Sequence, residues 1–146
     1  MINISEAASL GLHTMALLAK SERQRLTNQE MAELLGASVH HLAKVMRRLA
    51  KVGLVDSIRG PQGGFVLGKP AKDITLLGIY EAIEGPVERV GCLFQNPVCD
   101  GGSCILGRAV ESVHEQLRDY LGNTTLDELA ADVGFAGQIG VRRTDS

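Results

Sequence analysis

Residues 38–69 read SVHHLAKVMRRLAKVGLVDSIRGPQGGFVLGK and join a helical pattern to a glycine-rich hairpin pattern. In the first half, apolar residues recur at spacings of three and four from Val39 to Leu49, which predicts an amphipathic helix that Ser38 can cap. In the second half, two short strand-like runs flank a tip with three glycines and a proline, which predicts a β-hairpin. The stretch therefore predicts a helix that leads directly into a hairpin.

The outer face of this predicted helix consists almost entirely of hydrogen-bond donors. Such a face suits the major groove of DNA, where guanine offers two acceptors to Arg or Lys, and phosphates attract any cation. Glycines at the hairpin tip permit a close approach to a sugar–phosphate backbone or a minor groove, and Arg59 at its base adds a favourable charge. A solvated helix and a plain surface hairpin are the alternatives. The occurrence of a donor-rich helix directly before a glycine-rich hairpin favours DNA binding. The helix residues predicted to contact DNA are Ser38, His40, His41, Lys44, Arg47 and Arg48.

Two more helices are predicted ahead of this stretch. Residues 5–20 are too densely apolar for a solvated strand and predict a largely buried helix. Thr27 and Glu30 have the spacing of a capping box, which predicts a short helix that Gly36 ends in a tight turn. The short helix and the basic helix then form a helix-turn-helix, and the hairpin becomes its wing.

Charge is distributed unevenly along the chain, although the formal net charge is only −2. Between residues 37 and 69, six Lys and Arg stand against one acid, which gives +5, whereas residues 73–132 carry eleven acids and three Arg, which gives −8. Only the first of these segments is suited to phosphates. The absence of Trp and an aromatic content of 3% disfavour a base-stacking platform for single strands, so double-stranded DNA is the predicted partner.

Several other function classes are disfavoured by the sequence. There is no apolar run of the ~20 residues needed to cross a bilayer and no signal-peptide pattern, so we expect a cytoplasmic protein without membrane contact. No Ser/His/Asp arrangement, phosphate-binding glycine loop or HExxH motif is present, so we expect neither an enzyme nor a small-molecule substrate. A small iron–sulfur electron-transfer protein could use the cysteines described next, but it would not need the basic segment or the wing.

Three cysteines, Cys92, Cys99 and Cys104, lie within thirteen residues, after a predicted helix that Thr75 caps. The stretch between them is rich in turn residues, so it can wrap the sulfurs around one centre. Thiolates at such spacing suit an iron–sulfur cluster or zinc, and a cytosolic chain rarely keeps them as a structural disulfide. Thiol-only sensing and inert cysteines are the remaining alternatives.

The segment after the last cysteine has a different pattern. From Ile105 to Leu121 apolar residues recur at three and four, which predicts a long helix with a continuous apolar stripe. On this pattern alone, packing of the helix within its own subunit would account for the stripe. Residues 123–129 predict a last short helix, and residues 134–146 lack periodicity and predict a flexible tail.

The run from Thr27 to Lys69 resembles the IscR/NsrR-type (Rrf-two) family of winged helix-turn-helix iron–sulfur transcription regulators, and the similarity extends to about Leu129. In that family the long helix after the cysteines crosses its partner to form a dimer. The dimer places the recognition helix in the major groove and the wing against the adjacent minor groove. His40 and His41 are not the base-reading side chains of any one well-known subgroup, which leaves the operator sequence open. The wing residues to which the resemblance assigns DNA contacts are Arg59, Pro61, Gln62 and Gly63.

The resemblance also implies a cofactor. Family members that bind clusters carry three cysteines in the same loop, so a [2Fe-2S] or [4Fe-4S] cluster on the three cysteines is implied here. Some subgroups supply a fourth ligand as a histidine three residues after the last cysteine, but Gly107 stands at that position in this chain. Another subgroup takes ligands from the first helix of the partner, which makes the partner's His13 the leading candidate, because Ser9 at the other matching position is a poor ligand. Glu6 and Asp100 are further candidates.

Taken together, the sequence predicts a mainly α chain with a small β-hairpin wing (α+β), that is, a winged helix-turn-helix with a long C-terminal dimerisation helix. Its predicted parts are a DNA-binding domain at 1–85, a cysteine-containing cofactor loop at 86–104, a dimerisation helix and closing helix at 105–133, and the flexible tail at 134–146. The predicted function is that of a homodimeric transcription regulator, with repressor activity, whose operator affinity is controlled by a cluster that senses redox state, nitric oxide or iron–sulfur status. The same regulator with zinc or thiol-only sensing is the alternative.

Overall fold

The computed structural model describes residues 4–21, 25–87, 92–94, 96, 98–99 and 104–134. Over these residues the chain is mainly helical with one two-stranded antiparallel hairpin, which confirms the predicted fold class. From residue 135 onward the predicted tail lies outside the described residues. The elements are α1 (Glu6–Lys20), α2 (Asn28–Leu35), α3 (Val39–Lys51), β1 (Val55–Ile58), β2 (Gly64–Leu67), a 3-10 turn (Ala71–Asp73), α4 (Leu76–Glu84), α5 (Ile105–Asn123) and α6 (Leu126–Asp132).

The helices begin at the predicted capping residues. The Thr27 hydroxyl accepts a hydrogen bond from the Glu30 backbone N–H at 3.1 Å, and the Glu30 carboxylate accepts one from the Thr27 N–H at 3.0 Å, so the predicted capping box is complete. Thr75 caps α4 through the Gly78 N–H at 3.0 Å. Each of these bonds satisfies a backbone donor that a helix start leaves unpaired, which fixes where the helix begins.

The core is built around α1, which packs against α3, α4 and α6. Met15 and Leu17 of α1 are completely buried. Gly11 lies where α1, α3 and α4 converge: a Cβ atom there would be 3.1 Å from Ile83 Cγ1 and 3.6 Å from Val45 Cγ1. The missing side chain therefore lets three helices approach closely at one point.

The predicted wing is present and is attached to the core on both sides. β1 and β2 pair antiparallel in a register that runs from Val55–Leu67 to Ile58–Gly64. Leu26 adds a bridge on the outer side of β2, because its N–H donates to the Phe65 carbonyl at 3.0 Å and its carbonyl accepts from the Phe65 N–H at 2.8 Å. The segment before α2 thus forms a third backbone partner of the wing, which limits how the hairpin can swing.

The last helix folds back onto the first. The Leu126 N–H donates to the Ile74 carbonyl at 2.8 Å, and the Leu76 N–H donates to the Thr124 carbonyl at 3.0 Å, so the starts of α4 and α6 are joined by backbone hydrogen bonds. Leu126 is completely buried and α6 packs on α1. The closing helix therefore shares its core with the winged helix, whereas the division of the chain into four parts stays a prediction.

The long helix α5 is far less buried than the others. Gly107 and Leu121 are its buried residues, and several of its apolar side chains are exposed, including Ile105 at 74% and Tyr120 at 69%. No described helix combines the length and apolar character that a membrane span requires. An exposed apolar face on a helix of this length is a candidate interface.

Candidate DNA interface and cysteine segment

The recognition helix α3 separates an apolar inner face from a donor-rich outer face. Its inner residues Leu42, Met46 and Leu49 are completely buried, which anchors the helix on the core. Because the inner face is fixed, the opposite face is presented to solvent as a rigid surface. The exposed donors on that face are His40, Lys44, Arg47, Arg48 and Lys51.

The first turn of α3 gives a more restricted geometry than the sequence suggested. The Ser38 hydroxyl accepts a hydrogen bond from the His41 N–H at 3.4 Å, so its oxygen caps the helix and only its O–H remains to donate to DNA. His41 is half-buried, whereas His40 is exposed. Of the two histidines, His40 is therefore the better placed to reach a base edge.

Arg48 lies at the edge of the outer face and is held by the protein itself. Its Nη1 donates to the Ile83 carbonyl in the last turn of α4, at 2.6 Å. This bond directs the guanidinium toward α4. The DNA contact of Arg48 stays a prediction, and the side chain already has a partner within the chain.

The wing tip is exposed and braced from behind. Arg59, Pro61 and Gln62 are exposed. Arg25 donates from Nη1 to the Gln62 backbone carbonyl and from Nη2 to Gln62 Oε1, the latter at 3.2 Å. The Gln62 amide NH2 is left available as a donor to DNA, because only its oxygen is used in the brace. A cleft of about 500 Å³ lies behind the tip and is lined by Arg25, Thr27, Glu30, Pro61, Gln62 and Gly63.

A close backbone approach makes glycine necessary at the tip. A Cβ atom on Gly63 would lie 2.5 Å from the Ile58 carbonyl oxygen and 2.9 Å from the Gly60 carbonyl oxygen. The Gly63 N–H also donates to the Gly60 carbonyl at 2.9 Å, which closes the turn. The tip geometry therefore depends on the absence of a side chain at this position.

The three cysteines are free thiols at the surface or close to it. Cys92 is half-buried, and Cys99 and Cys104 are exposed. Cys104 is the N-cap of α5, and its Sγ accepts a hydrogen bond from the Gly107 N–H at 3.4 Å. Over the part of the chain that is described, no three His, Cys, Asp or Glu side chains are arranged to hold a metal ion, and Asp100 lies outside that part. The predicted cluster site thus stays a prediction.

The donor set nevertheless fits the chemistry of an iron–sulfur cluster. Three uncommitted thiols are the soft ligands that such clusters take. The hydrogen bond on Cys104 Sγ, from a backbone N–H at a helix start, is of the kind that stabilises charge on a ligating sulfur. These two features would suit zinc as well, since it also takes thiolate ligands.

His13, the candidate fourth ligand, is exposed on α1. Its Nδ1 lies 2.7 Å from the Ser9 carbonyl oxygen, and because a carbonyl only accepts, Nδ1 is assigned the proton. The lone pair is then on Nε2, as in histidines that bind metals through Nε2. A pocket of about 260 Å³ beside the ring is lined by Glu6, Ser9, Leu10, His13, Leu35, Gly36 and Ala37.

Comparison with known proteins identifies the family. Residues 4–132 match the model of Rrf2, described as an iron-dependent transcriptional regulator. The chain belongs to the Rrf2 family. It is 32% identical, over 120 residues, to the HTH-type transcriptional regulator IscR of Pectobacterium carotovorum, covering 79% of this chain and 73% of that protein. Other IscR relatives are matched over about three fifths of their length, at 61%.

Solved Rrf2-type structures agree with the fold. CymR of Bacillus subtilis, described as its global cysteine regulator, superimposes with a TM-score of 0.75 at 27% identity, covering 92% of this chain and all of that one. The oxidised form of Staphylococcus aureus CymR gives 0.74 at 28% identity, covering 91% of this chain and 99% of that one. The predicted winged helix-turn-helix and the predicted family are therefore confirmed. The Rrf2 relatives are transcriptional regulators, which also confirms that this chain is not an enzyme.

Two arginines of this Rrf2 chain were not predicted to have a role. Arg25 braces the wing tip through Gln62, and Arg118 of α5 donates from Nη2 to the Val87 carbonyl at 2.6 Å. In both cases the partner lies more than thirty residues away along the chain. Sequence periodicity carries no signal for such a contact, because it reports faces of single elements and not their neighbours.

Proposed function

We propose that this chain binds operator DNA as a homodimer, and that an iron–sulfur cluster on Cys92, Cys99 and Cys104 controls its operator affinity. The observation that carries the proposal is the exposed donor face of α3 next to a wing whose tip is held in place by Arg25. A rigid recognition helix and a rigid wing are the two elements that a winged helix-turn-helix presents to adjacent grooves.

The direct contacts are assigned to the exposed side chains. His40, Lys44 and Arg47 lie on the outer face of α3, where Lys and Arg suit guanine acceptors and phosphates. Arg59 at the base of the wing is exposed and would enter or flank the minor groove. Several phosphate contacts of this kind make binding strongly dependent on salt, because each contact releases condensed counterions.

Dimerisation is assigned to α5. Its exposed apolar residues include Ile105, Leu106, Val113 and Tyr120. Burying such a stripe against the same stripe of a second chain removes it from water and produces a two-fold axis. A two-fold dimer carries two recognition helices and would match a near-palindromic operator with two half-sites.

The sensor is assigned to the three cysteines. Cys104 starts α5, so any ligand held by its sulfur is attached directly to the proposed dimerisation helix. A cluster bound there would supply an iron centre that responds to oxidants and nitric oxide. The partner's His13, with its lone pair on Nε2, is the proposed fourth ligand. A tenfold change in operator affinity needs about 1.4 kcal/mol of difference between the two states, which is within the range of an allosteric coupling.

A second candidate sensor is favoured by one observation. Cys99 and Cys104 are exposed thiols, and among the similar structures is a CymR crystallised in an oxidised form. Oxidation of a thiol pair to a disulfide, with hydrogen peroxide taking up the two electrons and two protons to form water, would leave the DNA-binding surfaces as described and replace the cluster as the signal. Zinc on the same thiolates is the remaining alternative. In each version the protein acts in the cytoplasm, where reducing conditions keep the thiols free.

The proposal is tested by purifying the protein without oxygen and measuring its visible spectrum together with iron, sulfide and zinc content. Duplexes selected from a genomic library then report DNA binding as a function of salt. We expect brown protein with stoichiometric iron and sulfide, and an affinity that falls steeply as salt rises. Colourless protein after anaerobic reconstitution would refute the cluster, and salt-independent or absent duplex binding would refute the DNA-binding role.

A further inference from the structure

The recognition helix is joined to the chain segment that enters the cysteine region. We propose that Arg48 is a positioning residue for α3 and not a DNA contact, and that it couples operator affinity to the state of the cysteine region through the segment 83–87. The coupling part of this inference rests on the proposed function. It assigns to Arg48 a role different from the phosphate or base contact that its place in a cationic helix predicts.

The first step of the argument is the side of α3 from which Arg48 projects. Residues three and four apart are neighbours on a helix, so Arg48 lies between the exposed Lys44 and the side of Val45, at the border of the outer face. Val45 is buried, and a Cβ on Gly11 would come within 3.6 Å of it and within 3.1 Å of Ile83. Arg48 thus projects from α3 at the junction where α1, α3 and α4 are closest, toward α4.

The second step is the bond that Arg48 makes. The carbonyl groups in the last turn of a helix have no partner within the helix, and the helix dipole makes that end attractive to a cation. Ile83 lies in the last turn of α4, and its carbonyl accepts from Arg48 Nη1 at 2.6 Å. A charged donor on an unpaired carbonyl is one of the stronger hydrogen bonds in proteins, so α3 is firmly tied to the end of α4.

The third step is what holds the chain immediately after that point. Four residues further on, the Val87 carbonyl accepts from Arg118 Nη2 of α5 at 2.6 Å. Glu84, between the two, accepts a hydrogen bond from the Ser5 hydroxyl at the start of α1. The segment 83–87 is therefore fastened to α3 at one end and to α5 at the other, and Cys92 follows five residues later.

The consequence is a short mechanical path. A change in position of α5, the helix that begins at Cys104, acts on the segment 83–87 through Arg118. Arg48 transmits that displacement to the recognition helix. Because the path uses two arginines on different helices, removal of either arginine should uncouple operator binding from the state of the cysteine region. Only Arg48 lies on the DNA-binding helix.

The matched control is Arg47, the neighbouring exposed arginine on α3. Operator affinity is measured against salt for wild type, Arg47→Ala, Arg48→Ala and Arg118→Ala, each with the cluster intact and after its removal. For Arg47→Ala we expect a salt slope about one unit shallower and equal weakening of both forms. For Arg48→Ala and Arg118→Ala we expect an unchanged slope and a ratio of affinities between the two forms that falls at least fivefold toward one.

A second readout needs neither DNA nor cofactor. Hydrogen exchange of the backbone amides in 81–87 should become faster in Arg48→Ala and Arg118→Ala than in wild type, and remain unchanged in Arg47→Ala. A salt slope for Arg48→Ala as shallow as that of Arg47→Ala, or exchange equal to wild type, would overturn the inference. Wild-type protein that binds no duplex would instead refute the proposed function, and the coupling with it.

Discussion

Substitution of Gly63 by Ala is the sharpest steric test of the wing. The new Cβ would lie 2.5 Å from the Ile58 oxygen and 2.9 Å from the Gly60 oxygen, well inside the 3.4 Å at which ordinary contact begins. Both neighbours are backbone atoms, so neither can rotate away, and the tip must open. Forcing an extra methyl group into a tight site costs about 1–3 kcal/mol.

This free energy can lower either the stability of the protein or its affinity for DNA, and the measurement must distinguish the two. If the tip opens in the free protein, the steric overlap disappears. DNA binding requires the closed tip, so the free energy of the overlap then opposes binding. We therefore expect Gly63→Ala to weaken operator binding by about 5- to 150-fold, at 1.4 kcal/mol per factor of ten. The unfolding free energy should change little, since Gly63 lies outside the buried core.

The matched control is Gly122→Ala on α5. A Cβ there would be 3.5 Å from Leu77 Cδ2, which is ordinary contact, and Ala is the better helix former by about 1 kcal/mol. We expect equal or higher stability in urea and unchanged operator affinity, measured by fluorescence anisotropy. Wild-type affinity in Gly63→Ala would refute the assignment of the wing tip to the DNA interface.

Four further substitutions test other parts of the molecule. Arg25→Ala removes the brace on the wing tip and should weaken binding about fivefold without changing the melting temperature, because the side chain contacts the tip and not the core; a lowered melting temperature with full affinity would contradict this. Arg59→Ala should weaken DNA binding and leave cofactor content intact, and a comparable loss of both would mean that the wing is misplaced. Leu126→Ala should reduce the unfolding free energy by about 2–5 kcal/mol in denaturant titration, because the side chain is completely buried, and a smaller loss would mean that α6 is not part of the core. His13→Ala should alter the visible spectrum of the anaerobic protein, and an unchanged spectrum would exclude His13 as a ligand.

Local features of this fold could be predicted because the signals that specify them are local. Thr27 and Glu30 are three residues apart, and their reciprocal hydrogen bonds determine where α2 begins. The glycine-rich tip between two short apolar runs predicts the hairpin, since no residue with a side chain allows the close approach found at Gly63. The periodicity of α3 likewise predicts the burial of Leu42, Met46 and Leu49, whereas Val39, the first residue of the same apolar pattern, is 46% exposed.

Features that depend on distant neighbours could not be predicted in the same way. The hydrogen bond of Arg48 with Ile83 turns an outer-face cation toward α4, and helical periodicity alone places that residue with the DNA contacts. The packing of α6 against α1 is likewise set by Leu126 entering a core to which α1 contributes residues more than a hundred positions earlier in the chain. The fourth ligand of the proposed cluster is a still harder case, because it is expected from a second chain.

The most direct test of the central claim is the operator affinity of one anaerobic preparation before and after removal of its cluster, at fixed salt, for wild type and Cys99→Ala. We expect the two wild-type forms to differ at least fivefold, the lower end of typical allosteric couplings. Cys99→Ala should remain a folded dimer with one affinity in both treatments. Equal affinities for the two wild-type forms would contradict control by a cluster and leave a DNA-binding regulator whose signal lies elsewhere.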